Sequence, residues 1–269
     1  MFDLSGKNAF VTGAGQGMGL GIAEALAEAG ATVVMTGRGR NVFDRAAELG
    51  GNVRAMHLDV SDEEEVAEVC GGVLREYGHI DILVNNAGIM LPVDARTMDT
   101  EIREKNYRTN VCGTWNVTRA FLPQMMDRKY GRIINQSSVT GPLVVDSGMM
   151  AYAATKGAIL SLTKATAIEG APYGVTANAI QPGYIRTNMT QITATNLDGS
   201  DPEAFYQKVS SGIPMGRFGT PKEVGYLAVF LASAEAGYIT GSEFVIDGGA
   251  RLPETIALTG PYAPTDCGI

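Results

Sequence analysis

Residues 8–30 read NAFVTGAGQGMGLGIAEALAEAG, a sequence that passes from a strand pattern to a helix pattern through a run of glycines. The opening NAFVT is a short apolar run of the kind found in strands that are buried on both faces. Beyond the glycines, Ile22, Ala23 and Leu26 share one helical face. Gly30 follows the last turn, where glycine commonly ends a helix. A strand, a glycine turn and a helix in this order predict the first unit of an α/β fold.

The same alternation of strand and helix patterns continues to residue 246. Short β-branched runs predict seven strands, at 8–12, 32–36, 53–58, 80–84, 132–136, 175–180 and 243–246. Helical patterns lie between them, near 42–49, after the acidic SDEEE at 61–65, within 101–127, around Tyr152 and near 221–233. Buried strands that alternate with helices predict a doubly wound, seven-stranded parallel sheet flanked by helices.

No internal repeat or linker divides the chain, so residues 1–251 are predicted to form a single domain. Within it, residues 188–214 are polar and broken by Gly and Pro, and we interpret them as a substrate lid. Residues 252–269 form a C-terminal tail beyond the last strand. The tail is interpreted as a disordered end, with an arm that crosses to a neighbouring subunit as the alternative.

Composition restricts the class of protein. The 269 residues include 21 Lys plus Arg against 29 Asp plus Glu, and this net charge of -8 opposes attraction to nucleic acid or an anionic membrane. The three cysteines are scattered without a C-x-x-C pair, so neither a disulfide framework nor a metal site is expected. No secretory signal is evident, and no apolar run approaches the roughly 20 residues that span a bilayer. We expect a soluble, cytoplasmic protein.

The glycine-rich turn, TGAGQGMG at 12–19, has the composition of a phosphate-binding loop. Glycines let backbone N–H groups approach a pyrophosphate, and the helix that follows adds a favourable dipole. Met18 and Leu20 break the strict G-x-G-x-x-G spacing, and no Gly-Lys-Ser/Thr follows as in a P-loop. Its position between a strand and a helix, rather than its spacing, favours a dinucleotide.

A tyrosine and a lysine stand one helical turn apart in MMAYAATKGA, at Tyr152 and Lys156. A free phenol has a pKa of about 10, and lowering it by about three units takes about 4 kcal/mol of phenolate stabilisation. A lysine ammonium on the same helical face supplies part of that energy. The spacing predicts a proton-transfer pair, against the alternative of an ordinary helix with one exposed lysine.

Four motifs occur in a characteristic order: T-G-x-x-x-G-x-G at 12–19, NNAG at 85–88, Tyr-x-x-x-Lys at 152–156 and PGYIRT at 182–187. With these motifs the chain resembles the short-chain dehydrogenase/reductase family from about residue 5 to 250. The resemblance implies a single Rossmann-like domain that binds a nicotinamide dinucleotide. It also implies a homotetramer.

The resemblance assigns four residues to catalysis. Tyr152 exchanges a proton with the substrate oxygen, Lys156 supports it, Ser138 holds that oxygen, and Asn110 supports a water relay to the lysine. Ser138 follows the fifth strand, at the edge of the sheet where ligands bind. Ser137 competes for this role, but the family pattern favours the serine directly before a valine.

The resemblance also implies the cofactor contacts. Asp59 and Val60 match positions beside the adenine, residues 86–88 match positions along the ribose, and Thr187 is a candidate for the nicotinamide carboxamide. The full set of predicted cofactor-binding residues is Gly13, Gln16, Gly17, Met18, Gly19, Arg38, Asp59, Val60, Asn86, Ala87, Gly88, Tyr152, Lys156, Pro182, Gly183, Ile185 and Thr187.

The end of the second strand indicates the choice of cofactor. NAD-binding folds commonly place a carboxylate here, whereas this chain has Gly37 followed by Arg38 and Arg40. A guanidinium attracts a 2′-phosphate that a carboxylate would repel. The turn favours NADP(H) over NAD(H), with a merely solvated basic turn as the alternative.

Apolar residues at the expected mouth of the site predict the substrate. Met90, Val144, Met149, Tyr184 and Met189 favour a medium-sized apolar ketone or secondary alcohol, such as a hydroxysteroid. Two alternatives are an NAD(H)-dependent polyol or sugar dehydrogenase and a 3-oxoacyl-thioester reductase of the same family. A non-catalytic dinucleotide-binding protein is disfavoured because the serine, tyrosine and lysine are all present.

Overall fold

One all-parallel sheet organises the chain in the computed structural model, which describes residues 1–187, 190 and 202–253. Its strands are β1 (Asn8–Val11), β2 (Thr32–Gly37), β3 (Val53–His57), β4 (Ile82–Asn85), β5 (Gly131–Gln136), β6 (Val175–Pro182) and β7 (Glu243–Ile246). They lie in the order β3-β2-β1-β4-β5-β6-β7. The prediction of a doubly wound, seven-stranded parallel sheet is confirmed.

The strand order reverses between β1 and β4, which places the ligand crevice. Ala9 of β1 pairs with Val33 of β2 on one side and with Ile82 of β4 on the other. The chain therefore winds outward in both directions from β1. In such sheets, ligands bind beyond the carboxyl ends of the strands at this switch point.

Helices cover both faces of the sheet. They are α1 (Gly17–Glu28), α2 (Asn41–Leu49), α3 (Glu63–Tyr77), α4 (Thr100–Tyr107), α5 (Gly113–Asp127), α6 (Met150–Gly170), α7 (Pro202–Ser210) and α8 (Pro221–Ala232). Short 3-10 turns span Ala171–Tyr173 and Ala234–Ala236. Within the described ranges, no helix has both the length and the apolar character needed to cross a bilayer.

Capping residues fix the starts of two helices. The Asp62 carboxylate accepts hydrogen bonds from the backbone of Glu64 and Glu65 at 3.0 Å each, and so begins α3. Thr220 and Glu223 form a reciprocal capping box at the start of α8. Such caps typically contribute about 1 kcal/mol each. The acidic segment at 61–65 thus acts as the helix start that the sequence predicts.

Two apolar layers sandwich the sheet. On one face, Ile22 and Leu26 of α1 pack with Val224 of α8 against the inward-facing strand residues. On the other face, Phe10 of β1 meets Phe121 of α5 with ring centroids 4.9 Å apart. All five side chains are fully buried, and each buried side chain of this size stabilises the fold by about 1.5–3 kcal/mol. These layers hold the strand ends, and therefore the crevice, in fixed positions.

The helices depart from the sequence prediction in two places. The predicted helix within 101–127 contains a π-helical turn, Arg108–Cys112, between α4 and α5. In the predicted lid, α7 is helical, and its Phe205 and Tyr206 pack in a small cluster with Ile213 and Phe218. Polar neighbours mask this apolar pair in the sequence. Residues 188–189, 191–201 and 254–269 lie outside the described residues, so the lid and the tail stay predictions.

Candidate active site

The glycine turn between β1 and α1 has no room for side chains. Gly13 has a φ of +63°, and a Cβ there would lie 2.8 Å from Cα of Ala87. A Cβ on Gly19 would lie 2.3 Å from the carbonyl oxygen of Gly13. Both contacts are shorter than van der Waals distance and involve backbone atoms. The glycines therefore let two backbone segments touch at the floor of the crevice.

Hydrogen bonds join this turn to the NNAG segment. The Thr12 hydroxyl accepts bonds from the backbone N–H groups of Asn86 and Ala87, each at 3.0 Å. In return, the Asn86 amide donates to the carbonyl oxygens of Thr12 and Gly13 at 3.0 and 3.1 Å. Two motifs that are more than 70 residues apart in the chain therefore form one bonded unit.

The start of α1 fits an anionic ligand. Its first turn carries no acidic residue, and among the described residues no side chain caps it. The N–H groups of a first helical turn lack partners within the helix and carry a partial positive charge. Backbone donors next to side-chain-free glycines fit the pyrophosphate of a dinucleotide. Gly13, Gly17, Met18 and Gly19 would hold that group.

We predict that Gly19→Ala disrupts this turn. Its methyl group would clash with the backbone of Gly13, so we expect a loss of about 2 kcal/mol or more in unfolding free energy, together with loss of dinucleotide binding. Gly157→Ala in α6 is the matched control, because apart from the adjacent residues and the backbone of its own helix, no heavy atom of the described residues lies within 4 Å of its Cβ position. That variant should gain about 0.5–1 kcal/mol. Urea unfolding that ranks the two variants equally would contradict the geometry.

Arg38 and Asp59 lie together beside the end of β2. Nη1 of Arg38 is 3.4 Å from Oδ2 of Asp59, and the Arg38 side chain is 60% exposed. Burial acts to raise the pKa of Asp59, but hydrogen bonds from Ser61 and the charge of Arg38 outweigh it, so the pKa is lowered. Val60, next in the chain, is buried against the α5 side of the sheet. The two predicted adenine-side residues thus lie at one edge of the crevice, and Arg38 remains largely accessible.

Helix α6 carries Tyr152 and Lys156 into the crevice beyond β5. Nζ of Lys156 donates to the carbonyl oxygen of Gln136 at 2.8 Å and lies 5.5 Å from the Tyr152 ring centroid. Lys156 is only 4% exposed, and this burial lowers its pKa to about 8. The alternative of an ordinary exposed lysine is wrong, because the ammonium is buried beside the tyrosine.

The structure separates the roles of the two neighbouring serines. The Ser137 hydroxyl donates to the carbonyl oxygen of Lys156 at 2.8 Å and so anchors β5 to α6. The Ser138 hydroxyl is close enough to the Tyr152 phenol to act on its pKa as a hydrogen-bonding partner, and it accepts a hydrogen bond from the Thr140 backbone at 3.0 Å. Only Ser138 therefore faces the phenol.

The pKa of Tyr152 differs from the sequence expectation. Burial raises the pKa of Tyr152, and its hydrogen bond with Ser138 opposes the rise without reversing it. Among the described residues, Lys156 does not lower the pKa of Tyr152 as the sequence predicted. The lysine ammonium is bonded to the Gln136 carbonyl and lies near the ring, and it is itself destabilised by burial. At neutral pH this phenol holds its proton, which suits a proton donor.

Asn110 links α6 to the loop after β4. Its side chain accepts from the Ile89 N–H at 2.8 Å and donates to the Ile89 carbonyl at 2.9 Å. It also donates to the Thr155 hydroxyl at 3.0 Å. Asn110 lies in the π-helical turn, a feature that is frequent at functional sites. A Cβ added to Gly88 would lie 3.7 Å from Nζ of Lys156, so the NNAG segment adjoins the lysine.

The PGYIRT segment completes the crevice next to β5. The Pro182 carbonyl accepts from Val139 at 3.1 Å, and Gly183 donates to the Ile246 carbonyl at 3.0 Å. Ile185 pairs with Gly219, and the methyl carbon of Thr187 lies 3.4 Å from where a Cβ on Gly17 would be. The segment therefore touches both the serine strand and the glycine turn.

Two of the residues predicted to contact substrate, Val144 and Met149, lie on the loop at 141–149. The Val93 N–H donates to the Gly148 carbonyl at 2.9 Å, which joins the loop carrying Met90 to the one that ends at Met149. Val144 is exposed on this loop. Tyr184 is close enough to Asp146 for that charge to add to the burial that raises its pKa. Met189 lies outside the described residues.

Comparison with known proteins decides the family. The family model for enoyl-(acyl carrier protein) reductases matches residues 13–251. Oxidoreductase UcpA of Escherichia coli is 44% identical over 261 residues, which are 96% of this chain and 99% of that protein. The chain belongs to the short-chain dehydrogenase/reductase family. Its members are NAD(P)-dependent oxidoreductases, and the glycine turn described above fits that cofactor.

Other similar members of the short-chain dehydrogenase/reductase family carry different names. The 3-oxoacyl-[acyl-carrier-protein] reductase FabG of Thermotoga maritima is 37% identical over 250 residues, with coverage of 91% of this chain and 98% of that protein. The crystal structure of a candidate gluconate dehydrogenase from Agrobacterium tumefaciens superposes with a TM-score of 0.86 at 35% identity. The superposed region covers 94% of this chain and 98% of the chain in that crystal structure.

Sequence reasoning within this family missed two polar residues near the site. Gln136 supplies the carbonyl that holds Lys156, and Thr155 supplies the hydroxyl that holds Asn110. Gln136 could have been noticed, because an amide in a strand buried on both faces breaks the apolar pattern of parallel sheets. Thr155 gave no such signal, because threonine in a helix is ordinary.

Proposed function

We propose that the protein is an NADP(H)-dependent oxidoreductase that interconverts a medium-sized apolar ketone and its secondary alcohol. The observation that carries the proposal is the meeting of Ser138, Tyr152 and Lys156 at the crevice that the glycine turn borders. The Ser138 hydroxyl lies near enough to the Tyr152 phenol to act on its pKa, and Lys156 is buried beside the tyrosine ring. Such an arrangement suits proton transfer to an oxygen held between the serine and tyrosine hydroxyls.

In the direction of reduction, Ser138 and Tyr152 both bind the carbonyl oxygen of the substrate. The bound cofactor supplies the hydride. Tyr152 donates its proton as negative charge develops on that oxygen, which requires a phenol that is protonated at neutral pH. Its raised pKa meets this requirement. The Lys156 ammonium then stabilises the phenolate.

The preference for NADP(H) rests on the charge at the end of β2. Gly37 occupies the position where NAD-binding folds commonly place a carboxylate. Arg38 follows and is largely exposed, and its one ion pair within the described part of the chain is a long contact to Asp59. Among the described residues Arg40 forms no ion pair. Two accessible guanidinium groups support binding of a 2′-phosphate.

We predict that Arg38→Leu lowers kcat/KM for NADPH by about tenfold or more and leaves the value for NADH unchanged. The reason is loss of a charge-assisted bond to the 2′-phosphate. Arg45→Leu is the matched control, because Arg45 is exposed on the neighbouring α2 and pairs with Glu48 instead. Steady-state kinetics with both cofactors tests this. A wild-type enzyme with higher kcat/KM for NADH than for NADPH would refute the preference.

The loop above Tyr152 supports an apolar, uncharged substrate. Its exposed apolar side chains, together with the first residue of α6, are Leu143, Val144, Val145 and Met150. Exposed apolar side chains that are grouped in the sequence beside a site are consistent with a surface that binds an apolar ligand. Asp146 on the same loop places a negative charge at the mouth, which opposes carboxylate substrates.

Two alternatives have support among the relatives. Relatives 37–40% identical to this chain are named 3-oxoacyl-[acyl-carrier-protein] reductases, which supports a 3-oxoacyl thioester as the second candidate. A structural relative is described as a candidate gluconate dehydrogenase, which supports a sugar-type substrate. A panel of steroids, cyclic ketones, 3-oxoacyl thioesters and polyols separates them. Turnover of hydrophilic polyols alone would reject the apolar substrate.

We further propose a cytoplasmic homotetramer in which residues 1–251 form one domain and 188–214 close over the substrate. Large apolar side chains on outer helical faces support association between copies. They include Trp115 on α5, Ile168 on α6 and Tyr226 on α8, with exposures of 57%, 75% and 57%. The net charge of -8 supports the absence of nucleic acid and membrane partners.

A further inference from the structure

Gln136, the last residue of β5, carries a side-chain amide in an unusual position. The side chain is 3% exposed, in a strand whose six residues are all buried. Among the described residues its Nε2 donates only to the sulfur of Met18, at 3.4 Å, and thioether sulfur is a weak acceptor. Its Oε1 is buried and has no hydrogen-bonding partner within the described ranges. A buried amide oxygen without a partner costs about 1–3 kcal/mol, so its retention calls for an explanation.

The side chain lies between the two halves of the crevice. Met18, which it contacts, belongs to the glycine turn that fits the pyrophosphate. On the other side, the Gln136 backbone carbonyl holds Nζ of Lys156 at 2.8 Å. The strand continues past Gln136, because Ser137 and Val139 donate to the Ile180 and Pro182 carbonyls. Side chains alternate along such a strand, so Gln136 and Ser138 point to the same side.

This position matches one part of a dinucleotide. The pyrophosphate is placed by the glycine turn and the reacting carbonyl by Ser138 and Tyr152. A hydride passes only between atoms about 3–3.5 Å apart, so the ring that gives it must lie between these two points. The nicotinamide ring carries a carboxamide whose N–H groups are hydrogen-bond donors. A buried amide oxygen at the same place is a complementary acceptor.

We propose that Gln136 is a cofactor-binding residue whose side-chain oxygen accepts a hydrogen bond from the nicotinamide carboxamide. The assignment rests on the proposed function, since it requires a nicotinamide dinucleotide in the crevice. It adds a specific contact for the reactive end of the cofactor, separate from the contacts of the glycine turn with the pyrophosphate.

Equilibrium binding tests the contact without using activity. Titrations compare NADP⁺, its 3-acetylpyridine analogue, in which a methyl group replaces the carboxamide nitrogen, and 2′-phospho-ADP-ribose, which lacks the ring. Wild type should bind NADP⁺ about five- to tenfold more tightly than the analogue. Gln136→Leu should bind both equally, with unchanged affinity for 2′-phospho-ADP-ribose. The NAD⁺ series replaces these ligands if the protein prefers NAD⁺.

Thr176→Val is the matched control. Thr176 also has a buried, unpartnered side-chain oxygen among the described residues, but it lies near the amino end of β6, away from the crevice. This variant should discriminate between the ligands as wild type does. If wild type binds NADP⁺ and the 3-acetylpyridine analogue equally tightly, the assignment is overturned. This comparison uses the wild-type protein alone. An equal loss for all three ligands in Gln136→Leu also overturns it. Absence of any dinucleotide binding overturns the proposed function as well.

Discussion

Replacing Tyr152 with phenylalanine is expected to lower kcat by about 1000-fold or more while leaving the dissociation constant for NADP⁺ within about twofold of wild type. The substitution removes only the hydroxyl that shares a hydrogen bond with Ser138. That hydroxyl is the proton donor in the proposed mechanism. The ring remains, so its contact with Lys156 and the packing of α6 are kept. Rates come from the absorbance of the reduced nicotinamide, and affinity from equilibrium titration.

Tyr173→Phe provides the matched control for this experiment. Tyr173 lies in the 3-10 turn that follows α6, where its side chain is exposed, far along the chain from the crevice. Its loss of a hydroxyl should change neither kcat nor KM. Wild-type activity in Tyr152→Phe would remove the tyrosine from the mechanism and leave a dinucleotide-binding protein as the better description.

Replacing Lys156 with methionine is expected to act on activity and stability in opposite directions. The ammonium that supports the phenolate is lost, so kcat should fall by about 100-fold or more. The same change removes a buried charge whose only hydrogen bond among the described residues is to the Gln136 carbonyl. The folded protein should therefore be more stable, by on the order of 1–3 kcal/mol near pH 7. A catalytic group held at the expense of stability shows this combination.

The stability gain should depend on pH in a defined direction. Burial lowers the pKa of Lys156 from 10.5 to about 8 in the folded protein. Below about pH 8 both folded and unfolded wild type are protonated here, so the full cost of the buried charge is present. Between about pH 8 and 10.5 the folded state binds fewer protons than the unfolded state. Wild type then gains stability relative to Lys156→Met as pH rises.

Urea unfolding of wild type and Lys156→Met at about pH 7 and about pH 10 measures this dependence. The advantage of the variant should be large at the lower pH and small at the higher one. Lys164→Met is the control on the same helix, since Lys164 is 60% exposed and should show little change at either pH. A Lys156→Met variant less stable than wild type at both pH values would contradict a charge-burial cost.

Most of the fold followed from local patterns in the sequence. The ends of all seven strands agree with the predictions within two residues, because most of the strands are bounded by glycine or polar residues. The helix α7 was missed, since its apolar pair Phe205 and Tyr206 stands in a polar segment and packs on residues close in the chain. The π-helical turn at Asn110 was also missed. Its extra residue depends on the tertiary bonds of the asparagine rather than on any local propensity.

The positions of the site residues could be predicted from sequence motifs, but the properties that depend on burial could not. The spacing of Tyr152 and Lys156 placed them on one helical face, but it carried no sign that burial would raise the pKa of the tyrosine and lower that of the lysine. Those shifts arise from the packing of α6 against β5. The choice of Ser138 over Ser137 followed from the resemblance, and the hydrogen bond from Ser137 to the Lys156 carbonyl, which no sequence pattern indicated, supports it. The roles of all these residues in catalysis stay predictions until tested.

Transfer of deuterium tests the central claim most directly. Wild-type enzyme is mixed with NADPH deuterated at the reactive carbon of the ring and with each ketone of the panel, and the products are analysed by mass spectrometry. The account predicts one deuterium on the carbinol carbon of an apolar alcohol product, with none formed by Tyr152→Phe on the same timescale. Tight binding of the cofactor without deuterium in the product from any carbonyl compound would contradict it.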